Sequence, residues 1–279
     1  MKKILSPSRR GFFDIERRKA LAKTPLKWVG GKRWIVPILK PFIQKFKGTP
    51  LVELFAGGAA LSFKLEWENV VLNDKNPHLI NFYVQLKQGA NLFSSGVEFK
   101  NERAVFYKNR EKFNKLIQEG RENTPQAAAL FYYLNKTAYN GLMRFNSKGF
   151  FNTPFGKYKK VNYTFDTCFY KRLFKNWIFT CKDFTNVKIP PDAIVYADPP
   201  YDVEFTNYNA GGFSWEDQVR LVKFLSRLEN PVILSNQATQ RIVNLYREYG
   251  FILKFVDVPR YISCKSRKKV SEVIAYKNV

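Results

Sequence analysis

The chain has 279 residues, 45% of them hydrophobic and 16% aromatic, enough to bury a sizeable core as one large domain or as a core with an inserted lobe. Its 47 Lys and Arg against 23 Asp and Glu give a net charge of +24, more than solubility requires, which points to a polyanionic partner. A lone histidine, His78, argues against a Ser–His or Cys–His hydrolase, and the three scattered cysteines lack disulfide or metal-ligand spacing, so no metal is expected. The lack of any run approaching a membrane span or signal peptide makes a cytoplasmic location the expectation.

In chain order, residues 1–23 are basic and polar with little periodicity and read as an extension, with the core beginning near Thr24. Leu51–Phe55 reads as a short buried strand that turns through Ala56-Gly57-Gly58-Ala59 into a helix, and Val70–Asn73 as a second strand ending at Asp74. His78 is expected on the surface of the helix that follows. Between about Leu86 and Phe174 the strand rhythm gives way to charged helical segments and a Gly/Asn-rich hairpin, the pattern of an inserted lobe. Thr124-Pro125 opens a helix there, and Asn140-Gly141 stops it, delivering Tyr139 and Arg144 to a tip. Further strands are expected at Trp177–Cys181, Ala193–Ala197, Val232–Ser235, Phe251–Val256 and Val273–Tyr276; alternating with helices, they predict a mainly parallel α/β sheet.

Three segments carry chemistry. Asp198-Pro199-Pro200-Tyr201, directly after an apolar run, places a carboxylate, a rigid carbonyl and an aromatic ring at the mouth of a strand. Such a group suits a base amine: the amine lone pair is delocalised into the ring, and two acceptors on its N–H groups hold the nitrogen nearer sp³ while Tyr201 offers a π-face. A plain surface turn is the alternative for this tetrapeptide. The strand, small-residue turn, helix, strand and acid running from Leu51 to Asp74 form the layout that seats an adenosine. Asp74 stands 19 residues beyond Phe55, near the offset of a ribose-binding acid, but the turn is not one that cradles a pyrophosphate, so a nucleoside without phosphates suits it better and a nicotinamide dehydrogenase is disfavoured. A plain packing unit is the alternative. The third segment, Lys27-Trp28-Val29-Gly30-Gly31-Lys32, joins a tight Gly-Gly turn to an indole and two cations. The basic charge is concentrated, with twelve cationic and two acidic side chains in residues 1–40 and ten against one in residues 123–182. Aromatic residues interleave with it, as in Phe155-Gly156-Lys157-Tyr158-Lys159-Lys160, a pattern that favours nucleic acid over an anionic membrane.

Taken together and in this order, the segments resemble the Dam-type DNA adenine methyltransferases, which methylate adenine within GATC. The matching blocks are Lys27–Lys32, Phe55–Ala59, Asp74–Tyr83, Tyr139–Asn146, Phe151–Tyr158, Asp198–Tyr201 and Phe213–Leu221, spread over roughly residues 24–276. Ala59 departs from the pattern, standing where many members have glycine. The resemblance implies a Rossmann-like S-adenosylmethionine-dependent sheet at 24–85 and 175–279, with a mainly helical DNA-recognition lobe at 86–174 that carries a β-hairpin. It implies double-stranded DNA as partner, S-adenosyl-L-methionine as cofactor and an adenine flipped out of the duplex. Asp198, Pro199 and Tyr201 would be catalytic. Trp28, Gly30, Lys32, Phe55, Gly57 and Asp74 would bind cofactor, with Asp183 and Phe184 holding its adenine. Lys27 and Arg144 would face guanines, Leu142 and Pro154 thymine methyls, and Tyr139, beside Asn140, the gap left by the flipped base. A cytosine-N4 methyltransferase would use the same pocket, and a non-catalytic DNA-binding protein on this fold would leave Asp198–Tyr201 without purpose.

Overall fold

The structure, a computed structural model, describes residues 24–28, 30–31, 34–163, 166–202, 212–259 and 269–279; the extension expected over residues 1–23 and the cofactor candidate Lys32 lie outside them. The strands are β1 (Leu51–Glu53), β2 (Val70–Asn73), β3 (Trp177–Thr180), β4 (Ile194–Ala197), β5 (Val232–Gln237), β6 (Ile252–Pro259) and β7 (Lys269–Lys277). They form one seven-stranded sheet in the order β3-β2-β1-β4-β5-β7-β6. The pairings from β3 to β5 are all parallel, and β7 runs antiparallel to both β5 and β6. This is the Rossmann-like order, in which the chain winds outward from β1 in one direction and from β4 in the other.

Alternation along the strands sorts the core into two layers. Leu51, Val70, Leu72, Ile194, Tyr196, Ile233 and Ile274 face one buried cluster, whereas Val52, Val71, Val195, Ala197, Val232, Leu234, Val273 and Ala275 face the other. Helices α1 (Val36–Ile43), α2 (Ala60–Leu65) and α3 (Pro77–Gln88) cover the first face. The opposite face is covered by α7 (Trp215–Ser226) and α8 (Gln240–Glu248). The inserted segment supplies α4 (Arg103–Gln118), α5 (Pro125–Thr137) and α6 (Thr167–Leu173). Thr124 caps α5 by accepting the Ala127 N–H at 3.2 Å, with Pro125 at the first helical position, as the sequence led one to expect. Helix α5 packs against both α3 and α4, which is why every residue from Ala127 to Asn135 is buried and why the insertion shares the first-face cluster with the sheet.

Two expectations need correction. His78 is not on a helix surface: it is 8% exposed, its ring stacked on Phe145 at 4.9 Å and edge-on to Phe113 at 5.1 Å. Burial lowers its pKa to about 4, so the ring is an apolar contact between α3 and the insertion. The hairpin is present without a ladder, its arms meeting in isolated bridges at Ala138–Phe155 and Phe145–Phe151. Side chains supplement the few backbone bonds between the arms: Asn146 Oδ1 accepts the Lys148 and Phe150 N–H groups, Asn114 Oδ1 that of Phe151, and Thr153 Oγ1 that of Arg144.

Candidate active site and nucleic-acid interface

Because β1 and β4 are neighbours whose continuations diverge, the segments leaving their C-terminal ends border one crevice, the ligand position of open α/β sheets. Leu54–Ala59 leaves β1 and Asp198–Tyr201 leaves β4, so two segments more than a hundred residues apart in sequence meet there.

The β1 side is built by Trp28, Gly57, Asp74 and Tyr83. Gly57 has φ +47°, and a Cβ on it would stand 2.6 Å from Trp28 Nε1; one on Gly58 would meet Trp28 Cβ at 2.9 Å. The glycines are what let the indole lie against the turn. Ala59 takes φ 50°, the left-handed conformation that glycine adopts most readily. Gly57 N–H donates to Asp74 Oδ2 at 2.9 Å, the Tyr83 hydroxyl donates to Gly57 O at 3.0 Å, and Asp74 Oδ1 accepts the Asn76 N–H. Asn73 ties the strand ends together, its amide nitrogen donating to Leu54 O and Lys182 O and its amide oxygen accepting from Thr180 and Lys182. Burial raises the Asp74 pKa, and the two N–H donors oppose the rise. Gly30 is exposed, with φ +78°.

Beneath the turn lies Glu53, 2% exposed, which accepts from both the N–H and the hydroxyl of Ser62. Burial pushes its carboxyl up to about 7, and the nearby Asp198 charge adds to the effect. The turn N–H that a dinucleotide fold aims at phosphate is here occupied by a carboxylate. This acidic setting suits a ligand of hydroxyls, amines and positive charge, and each Asp74 oxygen retains a lone pair for another donor. The donor set therefore fits S-adenosylmethionine and not a pyrophosphate.

Four residues of the β4 loop, Asp198, Pro200, Tyr201 and Asp202, are each held by a different element. Asp198 Oδ1 accepts from Ser235 Oγ at 2.9 Å, and that hydroxyl also meets Tyr196 OH at 3.0 Å. Pro200 O accepts from Gln218 Nε2 of α7 at 2.8 Å, while Asn236 Nδ2 donates to Gln218 Oε1. Tyr201 OH donates to Glu272 Oε2 of β7 at 2.6 Å, and Asp202 pairs with Arg241 of α8. Burial, reinforced by the Asp198 and Glu272 charges, drives the Tyr201 phenol far above its ordinary value, so it remains a donor.

Phe55, Phe184 and Phe213 form an aromatic wall, with centroids 5.4 to 5.9 Å apart. Phe184 is 2% exposed, with the Arg220 guanidinium 4.4 Å from its ring centroid. Arg220 also grips both oxygens of Asp183, at 2.7 and 3.0 Å, and Lys75 adds a third contact at 3.0 Å. The guanidinium holds the Asp183 carboxyl well below the usual carboxylate range.

On the insertion, Tyr139 is 53% exposed beside Asn140, which is left-handed at φ 53°. Arg144 and Pro154 are exposed and Leu142 is half-buried; Arg144 Nε donates to Asn152 Oδ1 at 2.8 Å, and Tyr139 N–H to Pro154 O at 2.9 Å. Lys27 joins this surface from the other end of the chain. Its N–H donates to Asn135 Oδ1 and its carbonyl accepts from Asn135 Nδ2, while its ammonium donates to Lys136 O at 3.0 Å and lies 3.7 Å from the Tyr158 ring centroid. Partial burial lowers the Lys27 pKa.

Thus Trp28, Phe55, Gly57, Asp74 and Asp198–Tyr201 border the crevice and Lys27 joins Tyr139–Pro154 on the lobe, while Asp183 and Phe184 lie to one side under Arg220. Sequence reasoning missed Glu53, Gln218, Arg220, Ser235 and Glu272. Two had a signal: a glutamate inside the apolar strand Leu51–Phe55, and the polar run Ser235-Asn236-Gln237 ending an apolar strand.

A family model described as D12 class N6 adenine-specific DNA methyltransferase matches residues 28–257. The Retron Ec67 DNA adenine methylase of Escherichia coli is 34% identical over 264 residues, covering 90% of each chain. The DNA adenine methylase of Escherichia coli K12 is 33% identical over 268 residues, covering 90% of this chain and 93% of that one. The type II methyltransferase M.MjaIII of Methanocaldococcus jannaschii is 34% identical over 275 residues, covering 88% and 94%. With the family pattern running from Trp28 to Asp257 and about a third of positions shared along nearly the whole chain, the protein belongs to the D12 class of N6 adenine-specific DNA methyltransferases.

Proposed function

We propose that the protein methylates the exocyclic amine of adenine within GATC in double-stranded DNA, with S-adenosylmethionine as donor and the target base flipped into the β1–β4 crevice. The observation that carries this reading is the meeting of the Gly57 turn and the Asp198 loop at one switch point. Bound S-adenosylmethionine supplies a methyl carbon already activated by a positive sulfur. Trp28, Gly30, Lys32, Phe55, Gly57 and Asp74 would hold it, and Asp183 and Phe184 would flank its adenine.

The target amine lies inside a base pair and cannot meet the donor there, so the base leaves the stack. Tyr139 fills the gap. Asp198 accepts one N–H of the amine and the Pro199 carbonyl the other, drawing the lone pair out of conjugation, while Tyr201 supports the ring. Ser235 keeps the Asp198 carboxylate turned for this task. Orientation of this kind is worth up to about 7–11 kcal/mol. Lys27 and Arg144 read guanines, Leu142 and Pro154 pack on thymine methyls, and Asn140 shapes the tip. Residues 24–85 and 175–279 act as the catalytic core and 86–174 as the recognition lobe, working in the cytoplasm. No helix among the described residues is long and apolar enough to cross a membrane.

The test is expression in cells lacking DNA methylation, followed by genome-wide mapping of modified bases. Methyladenine in GATC is expected, and its disappearance with Asp198→Ala. Methylation continuing at the original rate in a folded Asp198→Ala variant would overturn the mechanism, and a different modified sequence would overturn the specificity.

A further inference from the structure

Glu272 lies on β7, seventy-one residues beyond Tyr201, and carries no part of the reading above. Its backbone is paired on both sides, opposite Gln237 of β5 and Val256 of β6, so it belongs to the rigid sheet, whereas Tyr201 sits on the loop leaving β4. The carboxylate is 1% exposed. Burying a charge is costly unless it is used, and here one of its oxygens receives the phenol at 2.6 Å. A phenylalanine would offer a base the same apolar face. The hydroxyl of Tyr201 supplies this tether, and hydrogen bonds to an ionised acceptor are about twice as strong as neutral ones. A tyrosine ring turns about two side-chain bonds; fastening the hydroxyl oxygen fixes the first, and although that oxygen lies on the axis of the second, a phenol O–H prefers the ring plane, so aiming it at the carboxylate turns the ring until its plane contains the acceptor.

We propose that Glu272 is a positioning residue, its carboxylate setting the plane of the Tyr201 ring before the target base arrives. The proposal rests on the reading of Tyr201 as the support under the flipped adenine. It differs from the roles of Ser235 and Gln218, which fasten the acceptor Asp198 and the neighbouring Pro200 carbonyl and leave the ring free to turn.

Single-turnover methylation of a GATC duplex separates the possibilities, with Tyr201→Phe, Glu272→Leu, Glu272→Gln, the Tyr201→Phe/Glu272→Leu double variant and Tyr201→Ala. Tyr201→Phe and Glu272→Leu should each slow the chemical step about tenfold, with duplex affinity within about twofold of the parent. Glu272→Gln, which keeps an acceptor, should recover most of the rate. The double variant should be no slower than either single one, because both break the same bond. With 2-aminopurine at the target position, Glu272→Leu should alter the fluorescence of the flipped base, and in the Tyr201→Phe background it should make no further change. Additive losses would make Glu272 merely structural and overturn the proposal, as would a Tyr201→Phe enzyme at parental speed, a variant that leaves Glu272 and the sheet untouched. A folded Tyr201→Ala enzyme at parental speed would instead remove the ring from the mechanism and overturn the underlying reading.

Discussion

Replacing Glu53 with glutamine is expected to flatten the pH dependence of stability between about pH 5 and 8. Burial raises this carboxyl from an ordinary 4.5 to about 7 in the folded chain. Between those values the native state keeps a proton that the unfolded chain has released. The stabilisation from the neutral acid is therefore fully present below about 4.5 and is lost as pH rises through about 7. At 1.36 kcal/mol per pH unit, the displacement from 4.5 to about 7 corresponds to about 3 kcal/mol. Glutamine keeps an amide oxygen for the Ser62 N–H and hydroxyl but has no charge to desolvate. Urea unfolding of ligand-free parent and Glu53→Gln proteins, followed by circular dichroism from pH 5 to 8, should give curves that converge at the acid end and separate by about 3 kcal/mol at pH 8. The melting-temperature gap would be roughly 6–12 °C. Asp74 contributes a slope of the same sign to both proteins and cancels in the difference. Parallel profiles across the range would refute the reasoning, because they would mean that Glu53 ionises as readily inside the fold as outside it.

Gly57→Ala forces a side chain into a left-handed φ, at about 1–3 kcal/mol, and drives it into the Trp28 indole; calorimetric affinity for S-adenosylmethionine should fall at least about tenfold. Unchanged affinity would take the turn out of the cofactor site. Arg144→Ala should cost about 1–3 kcal/mol of DNA binding and relax the choice at one base pair, measured over a panel of single-base site variants. A loss uniform across the panel would make it a phosphate clamp. With about five to eight phosphates engaged, DNA affinity should fall with salt with a log–log slope of roughly −5 to −7, and a slope near zero would remove the electrostatic reading of the basic surface.

The sheet was legible because strands covered on both faces must be apolar throughout, as in Ile194-Val195-Tyr196-Ala197, and because glycine turns and strand-end acids punctuate them. The crevice was legible in its two rims, since Gly57 and Asp198 each follow an apolar strand directly. What supports the rims was not. Glu272 and Gln218 are single polar residues in ordinary amphipathic surroundings, and their importance arises only when the sheet order brings β7 and α7 to the β4 loop. His78 was misplaced for a related reason: a helix position reads as surface or core according to its partner, and the aromatic pair Phe113 and Phe145 arrives from the insertion. The hairpin tip was found through Asn140-Gly141, and Asn146 bonds forward to Lys148 as turn asparagines do, yet the bonding to Asn114 and Thr153 follows no short-range rule.

The amide of Asn135 clasps the backbone of Lys27 in both directions, and the very next residue is the tryptophan that leans on the glycine turn. Two adjacent side chains on one short stretch thus serve different parts of the fold, Lys27 the insertion and Trp28 the glycine turn, and they share one planar peptide unit. On the roles proposed above for Lys27 and Trp28, a disturbance of this clasp would be felt both in sequence readout and in donor binding. Selectivity and turnover in this protein should consequently prove hard to evolve apart.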